Sequence, residues 1–229
     1  MVHIFASLMH MDSQNIEHNF SYRLRELCGI ALINLLATPM CFESRFLQIG
    51  SRTWDAAISV LEHFSSQPWF QRVWIIQEAV LPKTGSIHYG ESIFPWEMLA
   101  SAVGNVITHT PTCCKQIVDE IPRNSARVIR KLVYQTADIV VHRNTLERPS
   151  EQDLPFLLRH TRKRQAHDQR DKVYAVLSLF SNWNNVDPII ANYSMNTRQV
   201  YTLATLKAIQ TSGSTNVLSC PINQRLVNI

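Results

Sequence analysis

Cysteine is scarce and unpatterned in this chain: the five residues Cys28, Cys41, Cys113, Cys114 and Cys220 contain no C-x-x-C pair. An odd count without framework spacing argues against a disulfide scaffold and fits a reduced, intracellular setting, so a cytoplasmic location is expected. The nine histidines are dispersed, none in an H-x-x-x-H pattern with a following acid, and no zinc hydrolase is readable. The vicinal pair Cys113-Cys114, with His109 four residues before it, can be drawn as a metal site. No fourth ligand is evident and such pairs usually sit in loops or cores, so neither a metal nor a cofactor is expected. Long apolar runs are missing as well. The longest, Leu27 to Ala37, is about 11 residues, is broken by Asn34 and is too short to cross a bilayer. The opening Met1 to Met9 lacks the basic segment of a secretory signal, and no membrane partner is expected. There is no internal repeat, low-complexity tract or clear linker.

What is present is ordinary for a folded protein: 229 residues, 45% hydrophobic, 17% charged, with a formal net charge of +4. The location of that charge decides its meaning. Between Arg159 and Lys172 stand six basic residues (Arg159, Arg162, Lys163, Arg164, Arg170 and Lys172) against Asp168 and Asp171, which leaves sixteen of each sign elsewhere. The excess is therefore one local patch, read as a solvated loop and helix start; nucleic acid is not an expected partner.

Apolar periodicity marks most elements. Leu24, Leu27, Cys28, Ala31 and Leu35 define a buried helix from Tyr22 to Ala37, stopped before Pro39. A loop over 40–53 precedes a helix with Trp54, Ile58, Leu61 and Phe64 on one stripe. Proline at Pro68 opens a short helical turn through Arg72. Residues 73–80, if extended, are mostly apolar on both faces and read as an interior strand, followed by a second strand, Ser86 to Tyr89, ending at Gly90. A helix begins near Pro95; 105–123 is irregular; further helices cover about 125–141 and 154–160. Asp168 is expected to cap a helix carrying Val173, Val176, Leu177 and Phe180, and Asn196 with Gln199 forms a capping box for another. The fold class is α/β but α-rich, mostly helical with a small mixed sheet, with residues 209–229 as a tail.

The most specific segment is Trp69-Phe70-Gln71-Arg72-Val73-Trp74-Ile75-Ile76-Gln77-Glu78. It must bury its rings and still find partners for Arg72, Gln77 and Glu78, because an unpaired buried polar group costs a few kcal/mol. This segment resembles the W-F-x-R-x-W-x-x-Q-E signature of the fungal heterokaryon incompatibility (HET) domain. Trp54 to Phe64 is similar to that family's preceding helix, and His88-Tyr89-Gly90 with Phe94-Pro95-Trp96 to its strand, glycine and tryptophan-led helix. Asp168-Gln169-Arg170-Asp171-Lys172-Val173-Tyr174-Ala175-Val176-Leu177 resembles its D-x-R-D-x-V-Y-A-L-L segment, and Tyr193-Ser194 with Val200-Tyr201 its final motif. The resemblance covers 54–208, within a partial domain drawn over 1–208. It departs at Ser178, where the family has glycine, and at Ala191-Asn192, where it has Pro-Asp. The family's Tyr-x-Trp-Gly and Trp-x-Asp-x-x-Cys-Ile-Asn-Gln segments have no counterpart, and Met1 to Ser7 resembles the M-x-x-I-Y-x-x-A stretch that follows them. The chain thus looks like an N-terminally truncated member, with an inactive fragment as one reading.

The resemblance implies a role in non-self recognition and regulated cell death through a protein partner, with Trp69, Phe70, Arg72, Trp74, Gln77, Glu78, Arg170, Asp171, Tyr174 and Tyr193 as the family-motif residues. It leaves open whether the chain is an enzyme. A proposed distant relationship of HET to Toll/interleukin-receptor-like domains, some of which hydrolyse NAD with a glutamate, makes Glu78 a catalytic candidate. Arg72 or Arg170 could then meet a phosphate. The simpler reading pairs Glu78 with one of those arginines, takes Trp69, Trp74 and Trp96 as core anchors, and makes Asp171 a helix-start residue.

Overall fold

The computed structural model describes residues 22–38, 51–146, 148, 153–183 and 185–218. The stretch resembling the family's M-x-x-I-Y motif and the end of the tail lie outside them. The chain is mostly helical, with one two-stranded antiparallel sheet among the described residues. Its contacts divide it into two compact units, one containing Thr84–Ala137 and the described residues up to Gln67, the other Pro68–Lys83 and the described residues from Asp138. Both units are discontinuous in sequence, which explains why no linker composition marks a boundary.

In the first unit, α1 (Tyr22–Ala37) packs against α2 (Ser51–Ser65) and α4 (Trp96–His109). Cys28, Leu32, Ile33, Leu35 and Leu36 are buried on α1, as are Ala57, Ile58, Leu61 and Phe64 on α2 and Trp96, Leu99, Ala102 and Val103 on α4. A β-carbon on Gly29 would overlap the Val60 side chain, so the α1–α2 approach requires glycine there. Strands β1 (Ser86–Tyr89) and β2 (Ser92–Pro95) pair in the register Ser86↔Pro95 to Tyr89↔Ser92 and turn at Gly90, whose φ is +57°. β1 is the strand anticipated by the apolar pattern; β2 occupies residues assigned to no element, directly before the helix expected near Pro95. Helix α5 (Lys115–Glu120) likewise stands inside the stretch read as irregular. The first part of α6 (Arg123–Leu146) buries Val128, Ile129, Leu132 and Val133; Trp54 Nε1 donates to Ser125 Oγ at 3.0 Å.

The second unit corrects one expectation. Residues 73–80 are not a strand: a 3₁₀ turn, Pro68–Gln71, leads into helix α3 (Ile75–Val80). A short apolar run bounded by turns fits a buried strand or a buried helix equally well by periodicity. The buried residues Ile75, Ile76, Ala79 and Val80 share one helical face, while Gln77 is half-buried and Glu78 exposed. Arg143 closes α3 by donating to the carbonyls of Ala79, Pro82 and Lys83. Helices α7 (Leu154–Thr161), α8 (Asp171–Leu177) and α9 (Thr197–Ser212) follow, with α8 packed on α3, α7 and α9. Val173, Tyr174, Ile189, Val200 and Ala204 form a buried cluster against which Trp74, Leu158 and Trp183 pack. α9 runs past residue 208, ends at Gly213 with φ +64°, and is followed by a 3₁₀ turn, Thr215–Val217.

The two anticipated caps differ. Asn196 and Gln199 make the full reciprocal capping box on α9. Asp168 does not cap α8, whose N-cap position is Arg170 without a side-chain cap. Its carboxylate instead accepts the backbone N–H of Arg170 at 2.9 Å, two residues on, in a turn of the kind aspartate favours, and grips the Arg170 side chain.

Candidate functional site

The site residues that the resemblance implies gather in the second unit, in two groups. The first surrounds Glu78. Trp69 Nε1 donates to Glu78 Oε2 at 2.8 Å, and Arg72 approaches Oε1 at 3.8 Å with the two charged side chains 57% and 44% exposed. Glu78 is therefore on an open helical surface, not at the end of a buried strand. Phe70 is buried beneath the Trp69 edge, ring centroids 5.1 Å apart, and the Gln71–Val73 backbone pairs with Gln165. Of the three expected core anchors, Trp96 is buried whereas Trp69 and Trp74 are half-buried.

The second group converges on Asp171, the first residue of α8. Trp74 Nε1 donates to Oδ2 at 3.1 Å and the Tyr193 hydroxyl to Oδ1 at 2.7 Å, so each carboxylate oxygen has a donor. Accepting from Tyr193, Asp171 holds the phenol proton on, pushing that hydroxyl up to about 12. Arg170 lies over the Tyr193 ring at 5.1 Å, donates to the carbonyls of Tyr193 and Met195, and makes a forked pair with Asp168. The hydrogen bonds from the Arg170 side chain, and then from its backbone N–H, hold the Asp168 carboxyl down at about 2. Arg170 thus pairs with Asp168 and not with Glu78. Tyr174 is buried, edge-on to Tyr193, and donates its hydroxyl proton to the Asn192 carbonyl at 2.7 Å.

Two further features had no local signal. Arg164, counted with the solvated patch, is buried and forms an ion pair with Asp138 at 2.6 Å, with the side chains 4% and 3% exposed. It also donates to the Phe70 carbonyl at 2.6 Å, tying the signature segment to the pair. Beside it His142 is buried edge-on to Phe156 and His160, and neither ring nitrogen has a hydrogen-bond partner among the described residues. Burial pushes its imidazole down to about 4, the Asp138 charge opposing this only in part.

The rest of the basic patch frames a cleft. A concavity of about 530 Å³ lies between α7, α8 and α9 in this unit, with Val173 and Ala204 at its floor and Arg159, Arg162, Lys172 and Tyr201 among its walls. The Lys172 ammonium is anchored on the Arg162 carbonyl at 2.8 Å, and Tyr201 donates to the Gln169 carbonyl at 2.8 Å. Arg159 and Arg162 are exposed. Three cations therefore stand around an apolar floor, with the Asp153 carboxylate also among the lining.

No family model, curated protein or solved structure matches the chain. The functional reading consequently rests on the motifs and this geometry. Chemically, the motif groups are occupied: Asp171 by two donors, Asp168 by Arg170, Glu78 by Trp69. Such partners fix the orientation of each carboxylate.

Proposed function

We propose that the chain is a HET-domain-like interaction module, cytoplasmic, acting in fungal non-self recognition and regulated cell death by engaging a protein partner. The four ordered motifs between Trp54 and Ala208 support the family. Favouring an interaction role over catalysis is one observation: the signature carboxylate Glu78 is solvent-exposed and already bonded to Trp69, while the apolar-floored, cation-walled cleft lies elsewhere, on α7, α8 and α9. An acidic segment of the partner suits that cleft, with the exposed Arg159 and Arg162 supplying long-range attraction and the floor supplying apolar burial.

Fluorescence anisotropy with a glutamate-rich labelled peptide tests this reading. The purified chain is expected to bind the probe at low salt, to release it as salt rises, and to lose binding in Arg159→Glu/Arg162→Glu while Glu78→Gln retains it. Binding indifferent to the charge reversal would overturn the proposal. So would NAD consumption by the unaltered chain that a folded Glu78→Gln variant loses, the outcome of the alternative in which the chain is a TIR-like NAD-hydrolysing effector.

A further inference from the structure

Helix α4 ends at His109, and the chain then folds back on itself in the turn from Thr110 to Cys114. The amides of Thr112 and Cys114 both donate to the His109 carbonyl, at 3.2 and 3.0 Å, and the Thr112 hydroxyl donates to the Thr108 carbonyl at 2.8 Å. This turn brings two thiols to the imidazole of the last helical residue. His109 Nδ1 is 3.0 Å from Cys113 Sγ, Cys113 Sγ is 3.6 Å from Cys114 Sγ, and the three ligand atoms all lie within 4.8 Å of one another. Cys114 is fully buried, His109 half-buried and Cys113 exposed, so the cluster has a fixed inner wall and an outer face open to solvent.

We propose that His109, Cys113 and Cys114 form a zinc-binding site. Tetrahedral zinc holds sulfur at about 2.3 Å and imidazole nitrogen at about 2.0–2.1 Å, which sets neighbouring sulfurs about 3.8 Å apart and sulfur and nitrogen about 3.5 Å apart. The observed 3.6 Å between sulfurs is already close to that edge; the imidazole would withdraw from Cys113 by about half an ångström, and the edge from His109 to Cys114, within 4.8 Å, would settle at the same sulfur–nitrogen spacing. Two thiolates and an imidazole are soft to borderline donors, suited to zinc and unsuited to magnesium or calcium. Binding replaces two thiol protons by one dication, leaving a neutral Zn(S⁻)₂(His) unit and releasing two protons. Among the described residues the three ligands leave the fourth position to water or an incoming donor on the side of exposed Cys113. The sequence pattern, lacking a fourth ligand, argued against a closed structural site; an open three-ligand site needs none.

The untagged full chain, reduced and stripped with a chelator, is titrated with zinc chloride against a chromogenic zinc indicator. One zinc per chain is expected, with about two protons released. Cys113→Ser, at an exposed position, and His109→Ala, at a half-buried one on the last helical turn, are expected to keep the far-UV circular dichroism of the parent and to lose more affinity than the roughly 10–100-fold caused by removing an outer-shell partner. Cobalt(II) gives a second readout, with intense visible bands and a thiolate charge-transfer band that weaken in Cys113→Ser. Absence of stoichiometric binding, unchanged affinity in both variants, or a cobalt spectrum like that of the hydrated ion would overturn the assignment.

Discussion

Trp74 and Asp171 stand 97 residues apart in sequence and meet through an indole N–H···carboxylate hydrogen bond of 3.1 Å. One comes from the signature segment before α3 and the other opens α8, so the bond joins two motifs that resemble the HET family into one structural feature. Tyr193, from the final motif, donates to the other oxygen of the same carboxylate.

Replacing Trp74 by Phe keeps most of the apolar volume and removes this donor. Because the acceptor is charged, a loss of about 1.5–3 kcal/mol is expected. Trp74→Ala also removes packing against the Val173 cluster, but Trp74 is half-buried, so its cost should fall below the roughly 3–5 kcal/mol of a fully buried tryptophan. Urea denaturation of the two variants measures both.

Asp138 and Arg164 predict a different pattern. Removing either partner alone leaves the other charge buried and should cost about 3–5 kcal/mol, whereas Asp138→Leu/Arg164→Met should come close to neutral. A double-mutant cycle reads the coupling directly; additive single effects would refute it.

His142 predicts a pH dependence. Its imidazole is depressed from 6.5 to about 4 in the folded chain, so between those values the unfolded chain holds a proton that the folded chain does not. Stability contributed by His142 is therefore fully present above pH 6.5 and is lost as pH falls toward 4, amounting to at most about 3 kcal/mol. His160, also lowered chiefly by burial, acts in the same direction. Urea midpoints between pH 7 and pH 4 should show this slope, and His142→Phe should flatten it.

Asn196→Ala removes the reciprocal cap of α9 and should cost about 1 kcal/mol. Asp168→Ala should act differently, by releasing Arg170 from a carboxylate held at about 2; on pH titration of the parent its contribution fades only as pH falls from 3.8 through 2. Thermal melts of the two variants at pH 7 and pH 3 separate a cap from a titrating ion pair.

Local physics made part of this fold legible. Of the stripe Trp54, Ile58, Leu61 and Phe64 the last three are buried and Trp54 is half-buried, and the Asn196–Gln199 box forms in full, because both signals lie within one helix. α3 was misread because a short, mostly apolar run between turns satisfies either periodicity. Arg164 was misread because its partner Asp138 lies 26 residues upstream, beyond any local charge pattern. The Asp171 junction depends on Trp74 and Tyr193 arriving from distant segments, so the motif residues could be named in sequence but their mutual bonds could not. The cleft was legible only as charge: Arg159, Arg162 and Lys172 stood out, while the floor of Val173 and Ala204 required the packing of α8 and α9.

The most direct measurement is hyphal death, scored with a vital dye in a filamentous fungus expressing the unaltered chain, Glu78→Gln, or Arg159→Glu/Arg162→Glu at matched protein levels. An interaction module predicts death with the unaltered chain and with Glu78→Gln, and survival with the charge-reversed cleft. Survival with Glu78→Gln alongside death with the charge-reversed cleft, or no death from the unaltered chain, would contradict it.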